Sequence, residues 1–409
     1  MNKSFWFFLE SYIYVTIKSN ILLVYDTHTG NNFSVKSEVA IQIVRKIYED
    51  KNLGCIELKL SDLDNPDIYT FVNAVIINGM GKLLDSKEYP IKPIILLPIL
   101  SLNLDIDKFS NKENANMFLY RNISKYLLDV NIILNNSCEQ QCLNCNEYCK
   151  QFFCCCRENI PKSLSQESLI NLLCEISYYP VRTINITGGN IYQYKNLKVF
   201  NSLGKNSGKK INFYLHYLNY QENPYIDTQN IHLFVNAPIN SAKINAIQIH
   251  TKKKNIKYHL IVENKEQYEE LESIMHEYGI KDFEVHPFYN GHNVSFFEEN
   301  VYLSKEDILI RPIPMREIFR NQKLNVNFFG SLYIFPNGEI KANFNEKTIG
   351  NLGKDKIIDV INYEMMQNTA WRKVRSANPC ASCVYQYLCP PLSNYERILN
   401  RPNLCHIHF

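Results

Sequence analysis

Six short apolar runs, at residues 130–134, 183–186, 211–215, 231–235, 258–262 and 283–285, recur through the middle of this chain. Helical patterns fall between several of them, for example at 166–176 and 265–278. Strands that follow one another at this spacing, with helices between, are joined by crossovers and lie parallel in one sheet. The rhythm therefore predicts an α/β fold over 128–290, with six strands able to close part-way into a barrel. In such sheets ligands bind at the carboxyl ends of the strands.

The flanks differ from this rhythm. Over 1–90 the β-rich runs 12–17 and 21–25 are separated by a turn at Lys18–Asn20, and a second turn leads to a run at 33–35. Ser37 then caps a helix with Val39, Ile41, Ile43, Val44 and Ile47 at helical spacing. A short strand at 55–58 and a helix opened by Asn65-Pro66 and reaching about Asn78 complete a small α+β unit. Gly79 and Gly81 end that helix, and Pro90, Pro93 and Pro98 lead into a linker over 91–127. The apolar stretch 94–100 reads as a buried strand. Residues 291–409 are irregular apart from a hairpin, 331–335 and 339–341, turning at Asn337-Gly338.

Composition narrows the class. Charged residues are 21% and hydrophobic residues 45% of 409, enough apolar material for sizeable cores. A net charge of +3 over this length indicates neither a nucleic-acid nor a membrane surface, and Lys252–Lys254 read as a solvated loop. The apolar start at Trp6–Leu9 looks superficially like a signal peptide, but Glu10 interrupts it and no small-residue cleavage site follows. The expected location is the cytoplasm.

The 13 cysteines decide the chemistry. Eight lie between Cys138 and Cys174 and four between Cys380 and Cys405. In a reducing compartment such clusters point to metal rather than disulfides, while Cys55 and Cys174 read as buried thiols acting as small hydrophobes. Cys138, Cys142 and Cys145, spaced C-x3-C-x2-C, follow the first strand of the α/β section. Three thiolates on one tight loop can hold three irons of a [4Fe-4S] cluster and leave the fourth open to an outside chelator, whereas electron carriers use four. Zinc would prefer four ligands.

At these residues the chain resembles the radical S-adenosylmethionine (SAM) enzymes. The resemblance implies that the open iron binds SAM and that a 5′-deoxyadenosyl radical abstracts a substrate hydrogen. It also implies that Gly188, Gly189 and Asn190, ending the second strand, line SAM together with Asn144. Two of these depart from the family pattern: Asn190 stands where a glutamate usually pairs with SAM's ammonium, and Asn144 where an aromatic usually lies against the adenine. Cys149 and Cys154–Cys156 are open between packing, capping the cluster and a catalytic role.

The tail, with Cys380, Cys383, Cys389 and Cys405, resembles the SPASM extension of peptide-modifying radical SAM enzymes. This implies one auxiliary [4Fe-4S] cluster, since Ser393 and Ala342–Asn343 replace further cysteines of the full pattern while Ile349–Leu352 still fits it. A zinc site using Cys405 and His406 or His408 is the alternative. The first 90 residues look like the winged-helix element that binds a leader peptide as an added strand in such maturases. The resemblance thus implies a maturase of a ribosomally made peptide, fed by a flavodoxin- or ferredoxin-type donor. The alternative is a pseudo-radical-SAM companion that presents the peptide to an active maturase.

Overall fold

The computed structural model describes residues 3–98, 122–140, 144–154, 162–200, 208–251 and 255–407. Cys142, Cys155–Cys156, the Lys252–Lys254 run and His408 lie outside the described residues.

The N-terminal region holds two three-stranded antiparallel sheets. One has the order β5-β1-β6 (β1 Ser4–Leu9, β5 Cys55–Lys59, β6 Gly81–Asp85) and the other β2-β3-β4 (β2 Ile13–Lys18, β3 Ile21–Asp26, β4 Asn32–Val35). The helices Glu38–Ile47 and Pro66–Ile77 start where Ser37 and Asn65 accept hydrogen bonds from first-turn amides. Their apolar faces bury Ile41, Val44, Phe71 and Val72 against Phe7, Val15 and Val24. Residues 4–9, the apolar start whose likeness to a signal peptide is only superficial, are the central strand of the first sheet. The expected strand at 94–100 is not present over 94–98: Ile94 and Leu96 are 65% and 85% exposed. Pro93 and Pro98 remove amide donors there, and Ile95 N is tied down to Leu53 O at 2.9 Å.

The six expected central strands are β7 (Asp129–Ile133), β8 (Thr183–Thr187), β9 (Lys210–His216), β10 (Asn230–Asn236), β11 (Ile256–Val262) and β12 (Phe283–Pro287). They are parallel and neighbour one another in chain order within a nine-stranded sheet. The sheet stays open. The hairpin β13–β14 (Ser331–Ile334, Glu339–Lys341) docks with β13 parallel to β7, and β15 (Gly350–Asn351) forms the far edge opposite β12.

Strand alternation sorts the side chains of this sheet. Ile132, Ile186, Phe213, Leu233 and Leu260 pack with Leu169, Leu172, Ile244 and Leu271 of the covering helices. Phe234 and Ile261, of opposite parity, pack with Tyr148, Phe152, Cys154 and Phe288 in a separate cluster on the other face.

Candidate functional site

The cysteine loop leaves the carboxyl end of β7. Cys138 is partly buried, and Cys145 is buried as the first residue of the helix Cys145–Gln151. Four contacts through asparagine and glycine bind this loop to the end of β8. Gly189 N donates to Asn135 O at 2.9 Å, and Asn135 Nδ2 donates to Asn190 O at 2.9 Å. Asn219 Nδ2 donates to Gly189 O at 2.9 Å and reaches Cys138 Sγ at 3.5 Å. A Cβ on Gly189 would sit 2.0 Å from Ser137 O, so only glycine fits between these strands. Gly188 faces the Asn135 backbone with a nearest approach of 3.2 Å for the same test. Asn190 is buried, and its Oδ1 accepts from Tyr192 N at 3.1 Å, capping a 3-10 turn.

Beside this loop a cleft of about 660 Å³ is lined by Gln140, Asn144, Tyr148, His216, Asn236 and Glu263, among others. Its size suits a small-molecule ligand. Of the residues expected around SAM, Asn144 lines it; Gly188, Gly189 and Asn190 do not. Asn144 Nδ2 donates to Glu263 Oε1 at 3.1 Å, and Asn290 Nδ2 to Glu263 Oε2 at 2.8 Å. His216 Nε2 meets Asn236 Oδ1 at 2.6 Å. Burial holds the His216 pKa below its ordinary value, although the Asn236 contact works the other way.

The helix after the loop carries aromatics onto the sheet's inner face. Tyr148 meets Phe288 edge-on at 4.5 Å, and Phe153 packs against Tyr214 and Tyr333 at 5.4 and 6.0 Å. Cys154 is buried in this cluster, while Cys149 is partly exposed and its thiol donates to Asn146 O at 3.3 Å.

A second site lies in the tail. Cys380, Cys383, Cys389 and Cys405 together line a cavity of about 830 Å³, and no described cysteine is in a disulfide. Three of the four sulfurs face N–H donors: Arg375 Nη1 to Cys380 at 3.9 Å, Tyr385 N to Cys383 at 3.3 Å, and Asn403 Nδ2 to Cys405 at 3.3 Å. Without a metal, burial raises the thiol pKa of Cys380 and pushes Cys383 up to about 11 and Cys389 to about 12. Four thiols around one cavity, Cys380 buried and the others partly buried, three of them facing N–H donors, are a donor set that fits a thiolate-bound metal centre. His406 also lines this cavity, with Nε2 on Glu298 O at 2.7 Å. Where the full SPASM pattern has further cysteines, Ser393 caps the helix Asn394–Ile398, Ala342 is buried, and Asn343 Nδ2 donates to Asn394 Oδ1 at 2.9 Å. Elsewhere, Cys55 is buried as expected of a small hydrophobe. Cys174 is exposed, on the solvent side of the helix Gln166–Ile176, and does not serve as a core residue.

No protein-family model and no curated protein matches the chain. Among solved structures it is similar to SuiB of Streptococcus suis. With SuiB bound to its precursor peptide SuiA it shares 12% identity, covering 98% of this chain and 99% of that chain, at a TM-score of 0.46. With SuiB alone the identity is 11%, the coverage 98% and 100%, and the TM-score 0.47. With SuiB bound to S-adenosylmethionine the values are 11%, 97% and 97%, and 0.48. A likeness at this level carries no conclusion about function.

His216, Asn219, Asn236 and Glu263 are the cleft and loop residues that sequence patterning missed. Their signal was positional. Each lies at or just beyond the carboxyl end of a strand whose apolar run was legible, which is where α/β sheets bind ligands. Chemically, the cleft offers two carboxylates, Glu263 and Glu270, four side-chain amides and the His216 imidazole, a set suited to a polar, hydrogen-bonding ligand.

Proposed function

We propose that this chain is an iron–sulfur protein of the radical SAM type, acting in the cytoplasm in the maturation of a ribosomally synthesised peptide. Residues 1–90 would take the leader peptide, 91–127 link it to a partial barrel over 128–290, and 291–409 form a SPASM-like extension. Cys138, Cys142 and Cys145 would hold the SAM cluster, and Cys380, Cys383, Cys389 and Cys405 an auxiliary one. Gly188, Gly189, Asn190 and Asn144 would line SAM. When bound, a cluster with an open iron supplies the electron that cleaves SAM. The supporting observation is the position of the Cys138 loop at the carboxyl end of the first parallel strand, fastened to Gly189 through Asn219.

This chain's own residues would position and protect. Asn219 holds the loop against β8, Glu263 anchors Asn144 at the cleft, and Tyr148, Phe152 and Phe288 keep the inner face dry. A second reading, a companion that presents the peptide without cleaving SAM, is favoured by two contacts. Asn190 spends its Oδ1 on Tyr192 N, and Asn144 is bound to Glu263 rather than offering an aromatic face.

The test is anaerobic reconstitution followed by dithionite and SAM. Release of 5′-deoxyadenosine that vanishes in Cys138→Ala or Cys145→Ala is the expected result. Iron–sulfur absorbance without that product selects the companion, and a colourless protein carrying only sulfur-bound zinc overturns both.

A further inference from the structure

The inner face of the sheet carries a second group of metal-ligating side chains, on β10, β11 and β12 and independent of any cysteine. His232 Nδ1 lies 2.8 Å from His259 Nε2, and His259 Nδ1 lies 2.8 Å from His286 Nε2. Glu284 closes the group: its Oε2 is 3.6 Å from His259 Nδ1 and 3.8 Å from His286 Nε2. Its other oxygen, Oε1, is held by Lys257 Nζ at 2.5 Å.

We propose that His259, His286 and Glu284 form a binding site for a divalent first-row transition cation, with His232 as the positioning residue behind His259. The three facing atoms make a triangle with sides of 2.8, 3.6 and 3.8 Å, whose circumscribed radius is about 2.0 Å. An ion at or just above its centre meets zinc–nitrogen and zinc–oxygen bond lengths of about 2.0–2.2 Å. Two imidazoles and one carboxylate suit zinc, ferrous iron and their neighbours rather than calcium or magnesium, and they leave vertices for water or a ligand group.

The surroundings support this assignment. Each histidine needs one nitrogen free of a proton. With Nε2–H of His259 donating to His232 Nδ1, the lone pair at His259 Nδ1 faces the ion, as does that of His286 once its proton sits on Nδ1. Loading therefore needs a change of tautomer and no loss of protons. Phe152 lies 5.7 Å from the His286 ring and Phe234 5.3 Å from that of His259, an apolar wall that strengthens a buried ion–ligand bond. On the other side Glu284 is exposed and β12 is a sheet edge, which gives an ion a path in. Without an ion the carboxylate still has a reason to be there, its pair with Lys257. That competition makes the site testable.

Cluster-loaded full-length protein would be dialysed against Zn²⁺ without oxygen and examined by metal analysis and zinc X-ray absorption. The expected result is about one zinc per chain in a nitrogen/oxygen shell with imidazole scattering. Its affinity should fall at least ten-fold in Glu284→Gln and His286→Gln, and ten- to a hundred-fold in His232→Phe, which removes the support behind a ligand. Lys257→Met, which removes the competing cation, should bind more tightly. Glu284→Gln changes an exposed side chain, so loss of binding with unchanged melting cannot be laid to misfolding. Equal zinc affinity in wild type and all four variants, or zinc found solely in a sulfur shell near 2.3 Å, overturns the assignment.

Discussion

His216 ends β9 with a buried ring, its Nε2 on Asn236 Oδ1 at 2.6 Å and its Nδ1 accepting from Leu218 N at 3.4 Å. Because burial depresses its folded-state pKa below the ordinary value of about 6.5, the unfolded chain binds more protons in the interval between the two. The stability this neutral ring contributes is fully present above about pH 6.5 and is lost as pH falls toward the folded-state pKa. Thermal melting between pH 7.5 and 5 should therefore fall more steeply for the wild type than for His216→Gln, which keeps a hydrogen-bonding group without titrating. Parallel curves would refute the assignment. Residue-scale facts of this kind were half visible in sequence. A histidine just after an apolar run is legible, but whether it is buried and what it touches depend on β10, its neighbour in the sheet.

At the scale of elements, the parallel strands are stitched by a ladder of amides. Asn131 Nδ2 donates to Leu332 O at 3.2 Å, Asn185 to Asn131 and Asn212 to Asn185 at 2.8 Å each, and Asn230 to Asn212 at 3.1 Å. Asn255 adds the last rung through Asn230 Oδ1. The register makes this possible, since Asn131, Asn185, Asn212 and Asn230 are direct cross-strand partners. Asn185→Ala leaves an acceptor on Asn131 and a donor on Asn212 without that partner, and should destabilise the protein by about 2–3 kcal/mol in chemical denaturation. Asn255→Ala, at the exposed end of the ladder, should cost under about 1 kcal/mol. Equal losses would mean that the ladder is not cooperative. The six strands were readable from their apolar runs, but the ladder was not, because one polar residue in a strand carries no mark of its register. The docking of β13 on β7 was equally hidden, as it joins segments about 200 residues apart.

At the scale of the whole molecule, the N-terminal region is packed onto the cysteine-rich tail. Alternate residues of β2 and β3 face opposite ways. Val15, Leu22 and Val24 fill the N-terminal core, whereas Tyr14, Ile21, Leu23 and Tyr25 pack on Ile308, Ile318, Val384 and Leu388. Tyr25 OH accepts from Ile313 N at 2.7 Å, and Ser19 Oγ donates to Ser382 O at 3.3 Å. The hairpin tip, with Ser19 and Asn20 at φ of 46° and 59°, lines the cavity of the four tail cysteines. Ile21→Asp should open that seal. In air, the absorbance of the cluster proposed for the tail site should then decay several-fold faster than in the wild type. An unchanged decay would show that the hairpin does not shield the cavity.

Sequence by itself determined what covalent spacing and short-range periodicity encode. These are the strand and helix positions of the parallel sheet, the capped helices at Ser37 and Asn65, and three tail cysteines held within ten residues, Cys380 to Cys389. Tertiary structure alone decided what depends on bringing distant segments together. Cys405 joins the other three thiols across a loop, Glu263 reaches Asn144 from 119 residues away, and His259, Glu284 and His286 meet because β11 and β12 are neighbours in register. The physical reason is that burial and strand pairing are set by the entire packed core, whereas a sequence window carries only its own turn of helix or face of strand.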